Sequence, residues 1–197
     1  MTPKILAFSG SLRKDSLNQR VISIAADMAR DAGAEVTVLS LRDYPMPVFN
    51  QDDEDADGVP AEARAFRGQL EGHHGFIIGC PEYNSSITAA LKNAIDWATR
   101  AKADGQGPND CFTGKAVALT AASPGGMGGR RGLNHVREIL NNVGCYVVPG
   151  MVAIPGAHKA FDDKGGLSDE RTRGSMESLI HTLVRDASAL SAGSASS

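Results

Sequence analysis

The chain has 197 residues, enough for one domain with a sizeable core, and combines 42% hydrophobic and 22% charged residues with a net charge of −3. That balance argues against a general nucleic-acid binder, whose footprint is basic. No run of about 18 apolar residues occurs, so no membrane span is expected, and Met1-Thr2-Pro3-Lys4-Ile5 leads straight into a strand-like run without the features of a signal peptide, so the expected compartment is the cytoplasm.

In chain order, residues 4–9 read as a first strand, continuously apolar over Ile5-Leu6-Ala7-Phe8 as in a strand covered on both faces. After a polar loop, Leu17, Val21, Ile24, Ala25 and Met28 fall on one stripe of a helix. Ser16 with Gln19 three residues later fits a capping box, with Asp15 as the other candidate cap, and Gly33 suits the helix stop. Residues 35–41 read as a second strand, broken by Tyr44-Pro45-Met46-Pro47. The acidic segment 51–58 reads as a surface loop, and Pro60 suits the first turn of a helix to about Leu70.

Residues 75–80 form a third apolar strand, and 88–101 a helix. Residues 104–110 hold every turn-forming residue type and read as a loop. A fourth strand is expected over 115–121, a helix over 130–142, and a fifth strand over 146–148, continued by 151–154 after a Pro149-Gly150 turn. The last helix is expected from Glu170 to about Leu190, which bounds one domain over 1–190, and the Ser/Ala/Gly-only end, 191–197, reads as a disordered tail. Strands alternating with helices predict a doubly wound α/β/α sandwich with a five-stranded parallel sheet. The flavodoxin-like order 2-1-3-4-5 puts the loops after strands 1 and 3 on opposite walls of one crevice.

Three of these strand-to-helix loops carry chemistry. Gly10 to Asn18 brings the hydroxyls of Ser11 and Ser16, the amide of Asn18 and the guanidinium of Arg13 to the start of a helix, a set that suits a phosphate. Neither a Walker A loop nor the three-glycine dinucleotide fingerprint is present. Pro81 to Ser86 offers Tyr83, Asn84 and two serines to a heteroaromatic ring. Ser123 to Gly129 holds four glycines in seven residues, which lets backbone approach a flat ligand.

Other features have plainer readings. Cys80, Cys111 and Cys145 are too far apart in sequence for a Cys-x-x-Cys pair and read as small buried hydrophobes. Asp53 to Gly58 resembles the start of a calcium loop, but Arg64 stands where the bidentate Glu is due, so no metal site is expected. His73-His74 suit a helix end. His135, on the helix after the third loop, and His158, near the last strand, could reach a substrate but are not counted among the expected site residues, while Trp97 suits core or interface packing.

The three loop motifs together resemble the NADPH-dependent FMN reductase family, which includes quinone, chromate and azo-dye reductases. Gly10-Ser11-Leu12-Arg13-Lys14-Asp15-Ser16-Leu17-Asn18 is similar to its phosphate loop. Pro81-Glu82-Tyr83-Asn84-Ser85-Ser86 followed by Leu91-Lys92-Asn93-Ala94-Ile95-Asp96-Trp97 is similar to its flavin-ring signature, and Ser123-Pro124-Gly125-Gly126-Met127-Gly128-Gly129-Arg130 to its third loop. The resemblance spans residues 4–186. It implies that Ser11, Arg13, Ser16 and Asn18, with the backbone of Leu17, hold the FMN phosphate. Pro81, Glu82, Tyr83 and Asn84 border the isoalloxazine, and Ser123 with the backbone of Pro124, Gly125 and Gly126 contacts the ring and ribityl chain. One departure is Thr88-Ala89, where the family has Pro-Gly; Thr88 is expected to cap the following helix.

The implied activity is electron transfer from NADPH or NADH through FMN to a quinone-like acceptor, with no single catalytic side chain and with a homodimer or homotetramer as the assembly. The alternative is a flavodoxin-type electron carrier without direct NAD(P)H reactivity. Such carriers are more acidic and lack an arginine like Arg13. A third reading releases reduced FMN to a partner oxygenase.

Overall fold

The computed structural model describes residues 1–100, 103 and 105–194. Its elements are β1 (Lys4–Ser9), α1 (Leu17–Asp31), β2 (Glu35–Val38), α2 (Gln51–Asp57), α3 (Ala61–Glu71), β3 (Gly75–Gly79), α4 (Ala89–Arg100), β4 (Ala116–Ala122), α5 (Arg130–Asn142), β5 (Tyr146–Val147), β6 (Val152–Ile154) and α6 (Glu170–Ser194).

Every strand pair is parallel, and the order is β2-β1-β3-β4-β5. This is the expected flavodoxin-like order, with the switch point between β1 and β3. Successive side chains of a strand point to opposite faces, and the core divides accordingly. Ile5, Ala7, Ile77 and Ala118 pack under α1 and α6. Leu6, Phe8, Phe76, Ile78, Val117 and Leu119 pack under α3, α4 and α5. Two buried faces explain why β1, β3 and β4 are apolar without alternation. Each fully buried Leu, Ile or Phe contributes roughly 1.5–3 kcal/mol.

Caps set the helix ends. Ser16 Oγ accepts the Gln19 N–H at 3.2 Å at the start of α1. Only half of the expected capping box forms, because the Gln19 amide turns to the carbonyl of Leu39. Gly33 follows α1 with φ of 92°, the left-handed stop that glycine favours. Trp97 is buried, donates its indole N–H to Pro47 at 2.8 Å and meets Phe49 edge-on.

Several boundaries differ from the sequence expectations. The acidic stretch is the helix α2: Asn50 caps it through the Asp52 N–H, and acidic residues in its first turn complement the helix dipole. Arg100 ties α2 down through Glu54 at 2.8 Å. The second strand ends at Val38, where a 3-10 turn over Leu41–Asp43 takes over. The fifth strand is split: β5 pairs with the first two residues of β4 and β6 with its last three. The final helix continues to Ser194, through residues expected to be a tail. Residues 195–197, Ala101 of the helix expected over 88–101 and Asp104 of the expected loop lie outside the described residues.

Away from the carboxyl ends of the strands, Arg67 is fully buried. Its guanidinium donates to Glu71, Gln106 and the carbonyls of Ala98, Gly107 and Pro108. Cys80, Cys111 and Cys145 are unpaired and buried, and burial pushes the Cys111 thiol up to about 11 and that of Cys145 to about 12. Among the described residues no His, Cys, Asp and Glu group is placed to hold a metal, and no helix is long and apolar enough to cross a membrane.

Candidate functional site

The loops after β1, β3 and β4 converge at the carboxyl edge of the sheet. There they line a crevice of about 80 Å³ with Ser11, Arg13, Ser16, Leu17, Asn18, Pro81, Glu82, Tyr83, Ala122, Ser123 and Pro124. Of the expected site residues, only Asn84, Gly125 and Gly126 fall outside that lining, and all three sit within the same loops. A larger cavity, about 560 Å³, lies between Leu12, the segment 41–47 and α4. It is lined mainly by apolar side chains and prolines, so the site is identified by its polar chemistry and not by volume.

The first loop is shaped by its own serines. Ser9 Oγ accepts the Ser11 N–H and Ser11 Oγ accepts the Arg13 N–H, each at 3.2 Å. Gly10 is obligatory here: a Cβ would lie 2.7 Å from that of Leu91. The N–H groups of Leu17 and Asn18 open α1 and have no acceptor among the described residues. No acidic side chain occupies the first turn of α1, so its positive dipole end stays available to an anion. Arg13 is exposed, with no ion-pair partner among the described residues. The Asn18 side chain has another task. Its amide donates to the carbonyl of Ala122 and accepts the Ala122 N–H, at 2.8 and 2.9 Å. The side chain expected on a phosphate thus also holds α1 to the end of β4, and the backbone N–H of Asn18 is left open beside it.

The second loop is a tight turn. Tyr83 and Ser86 exchange backbone hydrogen bonds at 3.1 Å in both directions, around Asn84 (φ 50°) and Ser85 (φ 68°). These φ signs are those of a type I′ turn. They are the only non-glycine residues with positive φ among the described residues. Such backbone costs about 1–3 kcal/mol per residue and concentrates at functional sites.

Glu82 is used through its carboxylate, which the sequence reading did not anticipate. Oε2 accepts the N–H groups of Arg131 and Gly132 at 2.9 and 3.0 Å, and Oε1 accepts the Arg131 guanidinium at 2.8 Å. Partial burial pushes the carboxyl upward, but the Gly132 N–H and Arg131 outweigh it and hold the group below the usual carboxylate range. The N-terminus of α5 is thus neutralised internally, in contrast to that of α1.

Thr88 caps α4 as expected, accepting the Leu91 N–H at 3.2 Å. Its hydroxyl also donates to the Gly10 carbonyl at 2.7 Å, which ties the first loop to the second. His135 hydrogen-bonds Ser86 at 2.8 Å. His73 and His74 lie past the end of α3, held by the Gln69 carbonyl and the Lys4 N–H, and burial lowers both.

The third loop rests on the connection after β6. Ser123 donates to Ile154 and accepts from Ala157, at 3.1 and 3.0 Å. Gly128, at φ of 61°, packs so closely that a Cβ would lie 2.7 Å from the carbonyl carbon of Ile154. Leu12, Tyr83 and Met127, one from each loop, are exposed large apolar side chains. The arrangement offers an anion site at α1, glycine backbone open to a planar group, and an apolar rim.

The comparisons with known proteins agree with this chemistry. A family model described as NADPH-dependent FMN reductase matches residues 3–159. A probable NADPH:quinone oxidoreductase of Oryza sativa subsp. japonica is 31% identical over 183 residues, covering 91% of this chain and 86% of that protein. An NAD(P)H-dependent FMN reductase of Pseudomonas aeruginosa is 32% identical over 181 residues, covering 91% and 92%. Among solved structures, a flavoenzyme NAD(P)H:(acceptor) oxidoreductase from Paracoccus denitrificans superposes with a TM-score of 0.76 at 28% identity, covering 95% of this chain and 98% of that one. An archaeal flavodoxin, at a TM-score of 0.62 and 10% identity over 94% of this chain and 99% of its own, shares the fold.

Proposed function

The chain belongs to the NADPH-dependent FMN reductase family, and we propose that the three-loop crevice is where it binds FMN and works as an NAD(P)H-dependent reductase of quinones and similar acceptors. The carrying observation is the contrast between two helix N-termini at the crevice. That of α5 is filled by Glu82, while that of α1 keeps the N–H groups of Leu17 and Asn18 open beside Ser11, Ser16 and Arg13. This set fits a phosphate monoester. Arg13 and the hydroxyls of Ser11 and Ser16 would hold the phosphate with the Leu17 and Asn18 N–H groups. Pro81, Glu82, Tyr83 and Asn84 would border the ring, and Ser123, Pro124, Gly125 and Gly126 would offer backbone to the ring and ribityl chain.

FMN, when bound, supplies the two-electron chemistry that links a nicotinamide donor to a quinone. The protein's part is binding and orientation. Glu82 and Thr88 brace the loops, and the small backbone of the third loop admits a flat group from one side. The enzyme reading is favoured over a flavodoxin-type carrier by the quinone reductase and FMN reductase relatives.

One reductase domain takes in the expected residues 1–190 and the rest of α6, to Ser194. A homodimer or homotetramer, with a second copy or a flat acceptor covering Leu12, Tyr83 and Met127, is supported by their exposure of 55, 52 and 54%. The three unpaired cysteines support a reducing, cytoplasmic setting.

Anaerobic stopped-flow absorbance of the FMN-loaded chain mixed with NADH or NADPH tests the function. Fast bleaching of the flavin band, followed by fast recovery on adding a quinone, is expected and selects the nucleotide. Bleaching by neither nucleotide overturns the reductase reading in favour of a carrier.

A further inference from the structure

The ring-binding turn is held at both ends by one stripe of α5. Before the turn, Glu82 engages Arg131 and Gly132. After it, Ser86 Oγ lies 2.8 Å from His135 Nδ1. Arg131 and His135 are four residues apart, which places them one helical turn from each other on the same face. Between them is Gly132, where a Cβ would come within 3.2 Å of the Ser86 carbonyl and 3.4 Å of Glu82 Cβ. The turn therefore lies flat against the helix along that stripe.

The two attachments differ in what they do for the fold. Glu82 satisfies open N–H groups at a helix start, as many carboxylates would. The Ser86–His135 bond satisfies no buried group: His135 is exposed and Ser86 only half-buried, so both would be well hydrated apart. What the bond does is fix the outgoing end of a turn whose two central residues, Asn84 and Ser85, hold left-handed backbone without being glycine. Backbone of that kind persists only where its surroundings over-determine it.

We propose that His135 is a positioning residue for the flavin: by holding Ser86 it keeps the Tyr83–Ser86 turn closed and so preorganises the ring-binding loop before the cofactor arrives. This rests on the FMN reading above. The latch needs no particular charge on His135, since Nδ1 can accept from the Ser86 hydroxyl or, carrying a proton, donate to it.

The test uses the full chain as wild type, His135→Ala, Ser86→Ala, the double variant and His135→Asn. Two quantities are read: amide hydrogen exchange at Tyr83 and Ser86 without cofactor, and FMN affinity by fluorescence titration. Both alanine variants are expected to speed exchange at those two amides about three- to tenfold and to weaken FMN by a similar factor, the scale of one lost hydrogen bond. The double variant should be no worse than either single one, because the same bond is lost once. His135→Asn, whose amide can reach the serine, should recover most of the loss. Wild-type exchange and FMN affinity in His135→Ala would overturn the proposal, as would additive losses in the double variant. Faster exchange in the variants of a chain that binds no FMN would keep the latch and remove the cofactor reading.

Discussion

Asn18 and Ala122 lie 104 positions apart, yet the side-chain amide of one pairs with both backbone groups of the other, as a neighbouring strand would. The first turn of α1 is thereby fixed to the last residue of β4. The phosphate end of the crevice and the start of the third loop cannot move independently.

Asn18→Ala should cost stability out of proportion to its size. It strands the N–H and carbonyl of Ala122 in a buried setting, and each unsatisfied group costs about 1–3 kcal/mol. Urea unfolding of the cofactor-free chain measures this. A loss under about 1 kcal/mol would mean that water replaces the amide. Asn18→Asp, which keeps one acceptor but sets a second acceptor against the Ala122 carbonyl, should cost at least as much.

Arg13→Ala should weaken FMN by about 1.5–3 kcal/mol, the usual range for a hydrogen bond to a charged group, and leave thermal stability unchanged, since Arg13 is exposed and unpaired among the described residues. Fluorescence titration reads the affinity. Affinity equal to that of the wild type would remove Arg13 from the phosphate site.

Ser85→Gly should raise stability by about 0.5–1 kcal/mol, because Asn-Gly is the pair that a type I′ turn favours, while Ser85→Val should lower it. Thermal melting of both variants checks the sign. Opposite signs would show that the turn relaxes without the serine.

Glu82 makes part of the stability pH-dependent. Its folded-state carboxyl is held below the ordinary value by the Gly132 N–H and Arg131, against the upward push of burial. A lowered carboxyl stabilises the fold fully above the ordinary value, about 4.3, and the contribution fades as pH falls through the lower folded value. Wild type should therefore exceed Glu82→Gln in melting temperature at neutral pH, and the gap should shrink below about pH 4. A gap constant from pH 7 to 3 would exclude an ionised Glu82 as the cap.

Thr88→Val should destabilise the chain by about 1–2 kcal/mol through loss of a helix cap. It should also raise mobility at Gly10, because the hydroxyl bonds both α4 and the first loop. Hydrogen exchange along the first loop distinguishes this from a simple cap loss, which would affect α4 alone.

The strands, the order of the sheet and the three loops were legible in the sequence because they depend on local signals. These are apolar runs covered on both faces, caps such as Ser16 and Thr88, and glycine-rich breaks after strands. What escaped notice depends on partners far along the chain. Nothing near Asn18 announces Ala122, and nothing near Glu82 announces an open helix end 49 residues later. The helix over Gln51–Asp57 was hidden for the same reason. Seven residues with none buried have the composition of a solvated loop, and the tie to Arg100 that steadies them is distant.

The interrupted outer strand has a consequence for how copies of this chain meet. A long straight sheet margin presents a row of unpaired backbone groups on which another molecule can add a strand. Here the margin beyond β4 is two short pieces, β5 and β6, offset by a turn containing Pro149, which has no N–H to give, and Gly150 at φ of 88°. The opposite margin, β2, is only four residues long. Neither side offers a long, flat template for strand addition, so edge-to-edge pairing is not the way copies of this chain are built to meet.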